Sequence, residues 1–506
     1  MTDALTNLMN GFGHALTLDA LLFCLIGVTI GTLVGVLPGI GTLAAISLIL
    51  PLTYYVEPLL ALIMLSGIFY GTQYGGSITA ILLNLPGEPS TAITCLDAHP
   101  MAKKGRAGAA LFIAAIASFV GGSLALVLLI CFTPYLAGLA LQFSSADYFA
   151  LILFCLIGAS MLGLGSPLKG FCMVAIGLLI GMVGTDVTTG QARFTLGIPS
   201  LLDGIDLTAM LMGLFGVSEV VSTYLNDDDT PPPKNVTLRS LIPTRQEARE
   251  AAMPTLRGSG LGSFIGLLPG MGATLGTFLA YSFEKRISSH PEKFGKGTIE
   301  GIAAPEACNN ATVQASFIPM LGIGIPSGAV MAVLMGAMMV HGIQPGPLMM
   351  IQHPDVFWGV VASMWVGNVM LLILNIPLIG LWVRLLSVPS SILSPVVLLM
   401  LCIGVYSVNN NVFDIYTMMI FGVIGYICTS FGYSSALLIL GVILSPILEE
   451  HLRRSLLISN GDYFVFLQGP ISATFIVMSV LVLALSLRGG VSAMILKRRN
   501  ARIIDE

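Results

Sequence analysis

Gly35–Gly41 reads GVLPGIG and interrupts an apolar run, LLFCLIGVTIGTLVGVLPGIGTLAAISLIL, that would otherwise pass for a membrane helix. Pro38 removes a backbone donor and stops the arriving helix, and Gly39 and Gly41 permit a tight turn. The same break recurs as GLLPGMG over Gly266–Gly272. Broken backbone in lipid leaves N–H and C=O groups unpaired, so it survives only where protein or a wet cavity satisfies them.

The surrounding composition sets the class. The chain has 506 residues, 55% of them hydrophobic and only 9% charged, with a mean hydropathy of +0.92. Soluble domains are about one quarter charged. Long apolar runs, including Leu111–Cys131, Phe149–Met161, Val356–Ile379 and Ile471–Leu487, separate the few charges. An all-α polytopic membrane protein with about eleven or twelve membrane segments is expected. Met1–Ala20 has no Lys or Arg, so no basic n-region of a signal peptide is read there. The eight cysteines are scattered without a CxxC pair, and the six histidines lack metal-ligand spacing. The cysteines read as small buried hydrophobes, and HExxH is absent.

Asn226–Ala252, NDDDTPPPKNVTLRSLIPTRQEAREAA, is a polar stretch that divides the chain in two. The expected organisation is a first transmembrane repeat over 18–225, a cytoplasmic linker over 226–257, a second repeat over 258–490 and a cytoplasmic basic tail over 491–506. LPGIG matches LPGMG, and a second broken stretch follows each: YGGSITAILLNLPGEPST (Tyr74–Thr91) and NNATVQASFIPMLGIGIPSGA (Asn309–Ala329). Basic residues mark cytoplasmic loops. The loop after LPGIG has none, whereas the loop after LPGMG holds Lys285, Arg286, Lys293 and Lys296. After the second broken stretch the pattern is swapped, with Lys103, Lys104 and Arg106 in the first half and none in HGIQPGPLMMIQHPD. Equivalent loops of opposite basic character predict two inverted-topology repeats. The C-terminal LKRRNARI predicts a cytoplasmic end. Gly258–Phe283 is too short for two crossings between basic flanks, which favours a re-entrant hairpin tipped by LPGMG over one crossing helix with an unwound middle.

Paired interrupted segments are the best sequence pointer to a secondary transporter's binding site. The returning helix of each hairpin aims its N-terminus, with free N–H groups and partial positive charge, at a carboxylate. The candidate substrate residues are Gly39, Gly41 and Thr42 at the first tip, and Gly270, Gly272 and Thr274 at the second. From the other pair of breaks come Asn84, Pro86, Gly87, Ser90 and Thr91, and Asn309, Asn310, Thr312, Pro326 and Ser327. No Lys or Arg lies within these stretches, so an anion would be held by amides and hydroxyls. Polar groups near Gly39, Asn84, Gly270 and Glu306 can instead hold Na⁺. Glu88 and Glu306 are functional candidates as ionisable groups at membrane depth. Asp186, Arg193, Asp203 and Asp206 read as a loop held by local ion pairs.

GVLPGIGTLAAISLILPLT, GGSITAILLNLPGEPSTAITCLDAHPMAKKGRAG, GLLPGMGATLGTFLAYSFEKR, FGKGTIEGIAAPEACNNA and MVHGIQPGPL resemble the large permease subunit of the bacterial tripartite tricarboxylate transporters, the TctA family. The resemblance extends from about Leu18 to the C-terminal segment; Cys308, whose thiol is nearly isosteric, stands where a small residue such as Ser is expected. It implies a bacterial inner-membrane permease that works with a small membrane subunit and a periplasmic solute-binding protein. The binding protein delivers citrate or another tri- or dicarboxylate. Uptake is implied to be driven by an ion gradient, commonly Na⁺ with H⁺ as the alternative, with no other cofactor. GxxxxGK[ST] is absent, in keeping with transport without ATP.

Secondary uptake by elevator-like movement is the leading expectation, with rocking as its mechanical alternative. A passive channel is the rival, since broken helices also occur there. An intramembrane enzyme would need a nucleophile near a base; Ser327 and His341 are far apart in sequence and carry no signature. Neither enzyme activity nor a nucleic-acid partner is expected. A homodimer is compatible with the sequence.

Overall fold

The structure is a computed structural model that describes residues 2–37, 41–84, 86–162, 167–186, 190–225, 241–268, 272–385 and 390–484. The described chain is helical apart from one short antiparallel pair, β1 (Gly184–Thr185) with β2 (Ala192–Arg193), in which Gly184 faces Arg193. Two compact units are formed. One runs through Leu141 and again over Ile205–Ile427; the other covers Gln142–Gly204 and the described residues from Cys428 onward.

The first unit opens with α1 (Thr2–Ala15), α2 (Leu18–Val36), α3 (Thr42–Thr53), α4 (Pro58–Leu83), α5 (Cys95–Met101) and α6 (Ala107–Ala140). The second unit contributes α7 (Ser145–Leu162) and α8 (Pro167–Gly181). The chain then returns to the first unit with α9 (Leu207–Leu211), α10 (Ser218–Leu225), α11 (Arg245–Gly266), α12 (Gly272–Ile287), α13 (Glu300–Ala315), α14 (Phe317–Ile323) and α15 (Ala329–Val340). After these come α16 (Met349–Gln352), α17 (Pro354–Asn375), α18 (Ile379–Leu385), α19 (Ser390–Asn409) and α20 (Val412–Ser430). The second unit ends with α21 (Ser435–Ile458), α22 (Val465–Gln468) and a last apolar helix over Pro470–Ala484.

Five described segments are long and apolar enough to cross a membrane: α2, Cys95–Ala140, α17, α20 and α21. Shorter apolar helices of 10–17 residues, among them α3 and α15, accompany them. The chain is therefore an all-α, multi-pass membrane protein. Breaks explain why so many apolar helices are short. Gly105, at φ 80°, likewise turns the chain between α5 and α6 within one apolar segment.

Two helix pairs form the centre of the first unit. Gly27, Gly31 and Gly35 make a stripe on α2 at helical spacing, and α4 lies against it. A Cβ on these glycines would stand 2.3–2.5 Å from the carbonyl oxygens of Met64, Ile68 and Thr72. Only a missing side chain allows backbones this close. Gly258, Gly262 and Gly266 of α11 repeat the arrangement against the carbonyls of Ala304, Cys308 and Thr312 on α13. Both sets keep the same four-residue register, so the two pairs are built alike. Helix α6 packs on α11 and α13, and α17 packs on α2 and α4.

The second pair also shows how its break folds. Arg257 on α11 donates through Nε to Glu284 Oε2 on α12 at 3.0 Å, and its Nη2 meets Glu284 Oε1. A straight helix would hold these residues about 40 Å apart at its rise per residue. Helices α11 and α12 are therefore the legs of a hairpin, clasped away from its tip. Part of the stretch read as linker belongs to this hairpin: α11 begins at Arg245, where Thr244 and Glu247 form a reciprocal cap. Residues 226–240 and 485–506, which include the first part of the expected linker and the whole basic tail, lie outside the described residues.

In the second unit, α21 packs on α7 and α8. Arg193 donates to both oxygens of Glu449 at 2.7 and 3.2 Å, and Arg453 to Asp186 at 3.1 Å. Asp186 and Arg193 thus pair with α21, rather than with each other inside the loop as the sequence suggested. Asp206 instead caps α9, accepting from Ala209 N at 2.7 Å.

Candidate functional site

Asn84 ends α4 in the left-handed conformation, at φ 63°. The chain then turns through Pro86 and Gly87, and Gly87 is pressed so close that a Cβ would meet Gly35 O at 2.2 Å. This brings Glu88 to the N-terminus of α3. Glu88 Oε1 accepts from Thr42 N at 2.7 Å and from Thr42 Oγ1 at 2.5 Å. The first N–H groups of a helix have no intrahelical acceptor, so Glu88 supplies one where the helix end is partly positive.

The polar chain continues inward. Thr42 Oγ1 lies 2.6 Å from Thr72 Oγ1, and Gln73 Nε2 donates to Thr72 Oγ1 at 3.2 Å. Ser90 Oγ donates to Gln73 Oε1 at 2.9 Å. Thr91 Oγ1 closes the turn by donating to Glu88 O at 2.8 Å. The structure thus joins Thr42, Ser90 and Thr91 around Glu88, with Gly41 as the residue that caps α3. Gly39 lies outside the described residues.

The second half ends its helix in the same way, with Gly324 at φ 86° closing α14. Pro326 and Ser327 follow, and Ser327 Oγ donates to Ser316 O at 3.4 Å. Gly272, at φ 61°, begins α12, and Thr274 lies in its first turn. Gly270 lies outside the described residues. Thr312 is turned to α11, with its hydroxyl donating to Cys308 O at 2.8 Å and within 3.1 Å of Gly262 O.

Buried amides distinguish this half. Asn309 is 1% exposed, and neither its Nδ2 nor its Oδ1 has a hydrogen-bond partner. Asn310 donates to Glu306 O at 3.4 Å, but its Oδ1 is unpaired, as is Oε1 of Gln314. Leaving such groups unpaired costs about 1–3 kcal/mol each. On α13, Asn309 projects between the Cys308–Thr312 face, which meets Gly276 of α12, and the face that carries Glu306.

The breaks interleave. The turn at Pro89–Thr91 packs on α12 and α13, while α15 packs on α3 and α4. The first half's second break therefore lies against the α11–α12 hairpin and its partner helix, and the helix that follows the second half's second break lies against α3 and α4. Glu306 sits fully buried beside this convergence. Its Oε2 accepts from Ser77 Oγ at 2.6 Å and Ser118 Oγ at 3.3 Å, and its Oε1 from Thr94 Oγ1 at 2.6 Å.

Several of these residues were not singled out from sequence. Thr72, Gln73 and Ser77 lie in GTQYGGS, a polar patch inside an apolar helix, which was the available signal. Asp97 gave none. It is fully buried, accepting from Gly297 N at 2.7 Å, Thr298 N at 2.9 Å and Tyr281 Oη at 2.8 Å. It ties α5 to the turn between α12 and α13.

Apolar spanning helices, backbone breaks and a buried polar centre together define a multi-pass membrane protein with an internal polar site. Residues 21–440 match the model of the tripartite tricarboxylate transporter TctA family, and the chain belongs to that family. It is 47% identical over 490 residues to an uncharacterized 52.8 kDa protein of the TAR-I ttuC′ 3′ region of Agrobacterium vitis, covering 96% of this chain and 97% of that one. An uncharacterized protein of the TAR-II ttuC′ 3′ region of the same organism is 48% identical over 226 residues, covering 45% of this chain and 93% of that one. No solved structure matches.

Proposed function

We propose that this chain is the permease subunit of a binding-protein-dependent secondary transporter. In this reading it takes up citrate or another tri- or dicarboxylate across the bacterial inner membrane, driven by an ion gradient, with Na⁺ the expected ion. It works with a small membrane subunit and a periplasmic solute-binding protein, and its two inverted repeats alternate access by an elevator-like movement. The observation that carries the reading is the group of unpaired buried amides, Asn309, Asn310 and Gln314, on a helix packed beside the α11–α12 hairpin. Amide N–H groups and a helix N-terminus can hold a carboxylate without an ion pair, which suits a site that must also release its cargo.

Accumulation of labelled citrate in right-side-out vesicles tests it. The vesicles carry the chain and its small subunit, with and without a solute-binding protein and an inward Na⁺ gradient. Uptake above equilibrium that needs both supports the proposal. Downhill equilibration alone would replace it with a passive channel. No citrate flux, followed by uptake of another carboxylate from a panel, would change the substrate and keep the mechanism.

A further inference from the structure

Glu306 is a carboxylate with no exposed surface, and among the described residues no lysine, arginine or histidine pairs with it. The titratable groups that face it are the Tyr74 hydroxyl from α4 and the Cys95 thiol from α5. Three hydroxyls soften the burial of this charge without neutralising it. An isolated ionised carboxylate is far too costly to keep in an apolar interior, so Glu306 either takes up a proton or is matched by one cation.

The surrounding atoms suit a metal cation better than a proton. Two carboxylate oxygens and the hydroxyls of Ser77, Thr94 and Ser118 bring five oxygens together from α13, α4, the turn before α5, and α6. A protonated carboxyl adds one O–H donor among three hydroxyls that already donate to it, whereas a hard cation draws on several oxygens at once. Ser77 Oγ is also 3.0 Å from Gln73 O, so its proton can go to that carbonyl and leave a lone pair for a cation. Beside the site, Tyr74, Ser77, Ser118 and Asn375 help to line a cavity of about 10 Å³, the space of one water-sized sphere. Asn375 Oδ1 has no partner. A water there would bridge the hydroxyls to the amide.

We infer that Glu306, Ser77, Thr94 and Ser118 form a binding site for a single dehydrated Na⁺. If the proposed transport function holds, this is the coupling ion's site, since Glu306 lies one helical turn from Asn309 and Asn310. The binding itself does not depend on that function.

The test is thermal unfolding of the purified full-length chain in nanodiscs, in NaCl, KCl or choline chloride at one ionic strength and pH. Na⁺ should raise the wild-type Tm in a saturable way that K⁺ and choline do not reproduce. Glu306→Gln should abolish the rise. Ser118→Ala, a mild change, should move its half-point to at least about tenfold higher Na⁺ through weaker binding to the folded state. A rise equal in K⁺, or one that persists in Glu306→Gln, would overturn the site. So would a Tm that follows pH but ignores Na⁺, which would make Glu306 a proton site. If Glu306→Gln does not fold, an unchanged half-point in Ser118→Ala overturns the proposal alone. Saturable Na⁺ binding without carboxylate uptake would sink the transport function and leave this site standing.

Discussion

At the first break a glutamate closes the helix end: Glu88 takes the N–H and hydroxyl of Thr42, and the chain Thr42–Thr72–Gln73–Ser90 is hydrogen-bonded throughout. At the second break the scaffold is the same, down to the glycine stripe and the left-handed helix end, yet Asn309, Asn310 and Gln314 keep unpaired polar atoms. Residues in the second break, Ile325, Pro326, Ser327 and Gly328, offer no carboxylate to do what Glu88 does. At the first a carboxyl closes the helix end; at the second polar capacity is left over. A repeated scaffold thus need not make two equal sites, and the difference lies in a few side chains set on common backbone.

The strongest way to break this comparison is to attack the shared scaffold. Gly31→Leu and Gly262→Leu should each force apart backbones in near contact, at a cost of at least about 3 kcal/mol. Both should abolish monodisperse protein in size-exclusion chromatography. Loss from only one would show that the two pairs are not mechanically equivalent. A sharper test exploits the fillings, which should respond with opposite sign. Glu88→Ala strips acceptors from the α3 N-terminus and should cost about 2 kcal/mol in thermal unfolding without substrate. Asn309→Leu removes unpaired amide atoms, so it should leave Tm unchanged or raised while reducing carboxylate uptake at least about tenfold. Equal destabilisation by the two changes would mean that Asn309 is structural.

Smaller effects probe the connections around the site. Asp97→Asn keeps the shape but not the charge that accepts from Gly297, Thr298 and Tyr281, and should cost about 1–3 kcal/mol. Proteolysis of the 288–299 turn would detect it. The least effect is expected at the start of α11. Burial opposes ionisation of Glu247, but Thr244 and the Arg106 guanidinium outweigh it and hold its carboxyl below the usual range. Its contribution is therefore complete above the unfolded-state value and is lost as pH falls through the lower folded one. Glu247→Gln should cost under about 1 kcal/mol at neutral pH and flatten the acid limb of Tm against pH.

Much of this was legible in the sequence for a physical reason. Proline and glycine act locally, so LPGIG and LPGMG declare their breaks without help from distant residues. The apolar runs likewise announce a membrane chain. What stayed hidden depends on contacts distant in sequence. Gln73 is part of a small polar patch on a long apolar helix until Ser90 folds back onto it, and Asp97 is a lone acid on a short helix until the 297–298 turn meets it. The beginning of α11 was readable, since TRQE carries a capping box, but the run of charge around it suggested linker. Glu306 stood out as an acid among small residues, yet its three hydroxyl partners come from separate elements that no local pattern connects.

The glycine stripes have a mechanical consequence. Backbones that touch at three successive turns leave no side-chain cushion between them, so α2 with α4, and α11 with α13, each behave as a laminated beam. Sliding one layer past the other would mean lifting the stripe out of register by a whole turn.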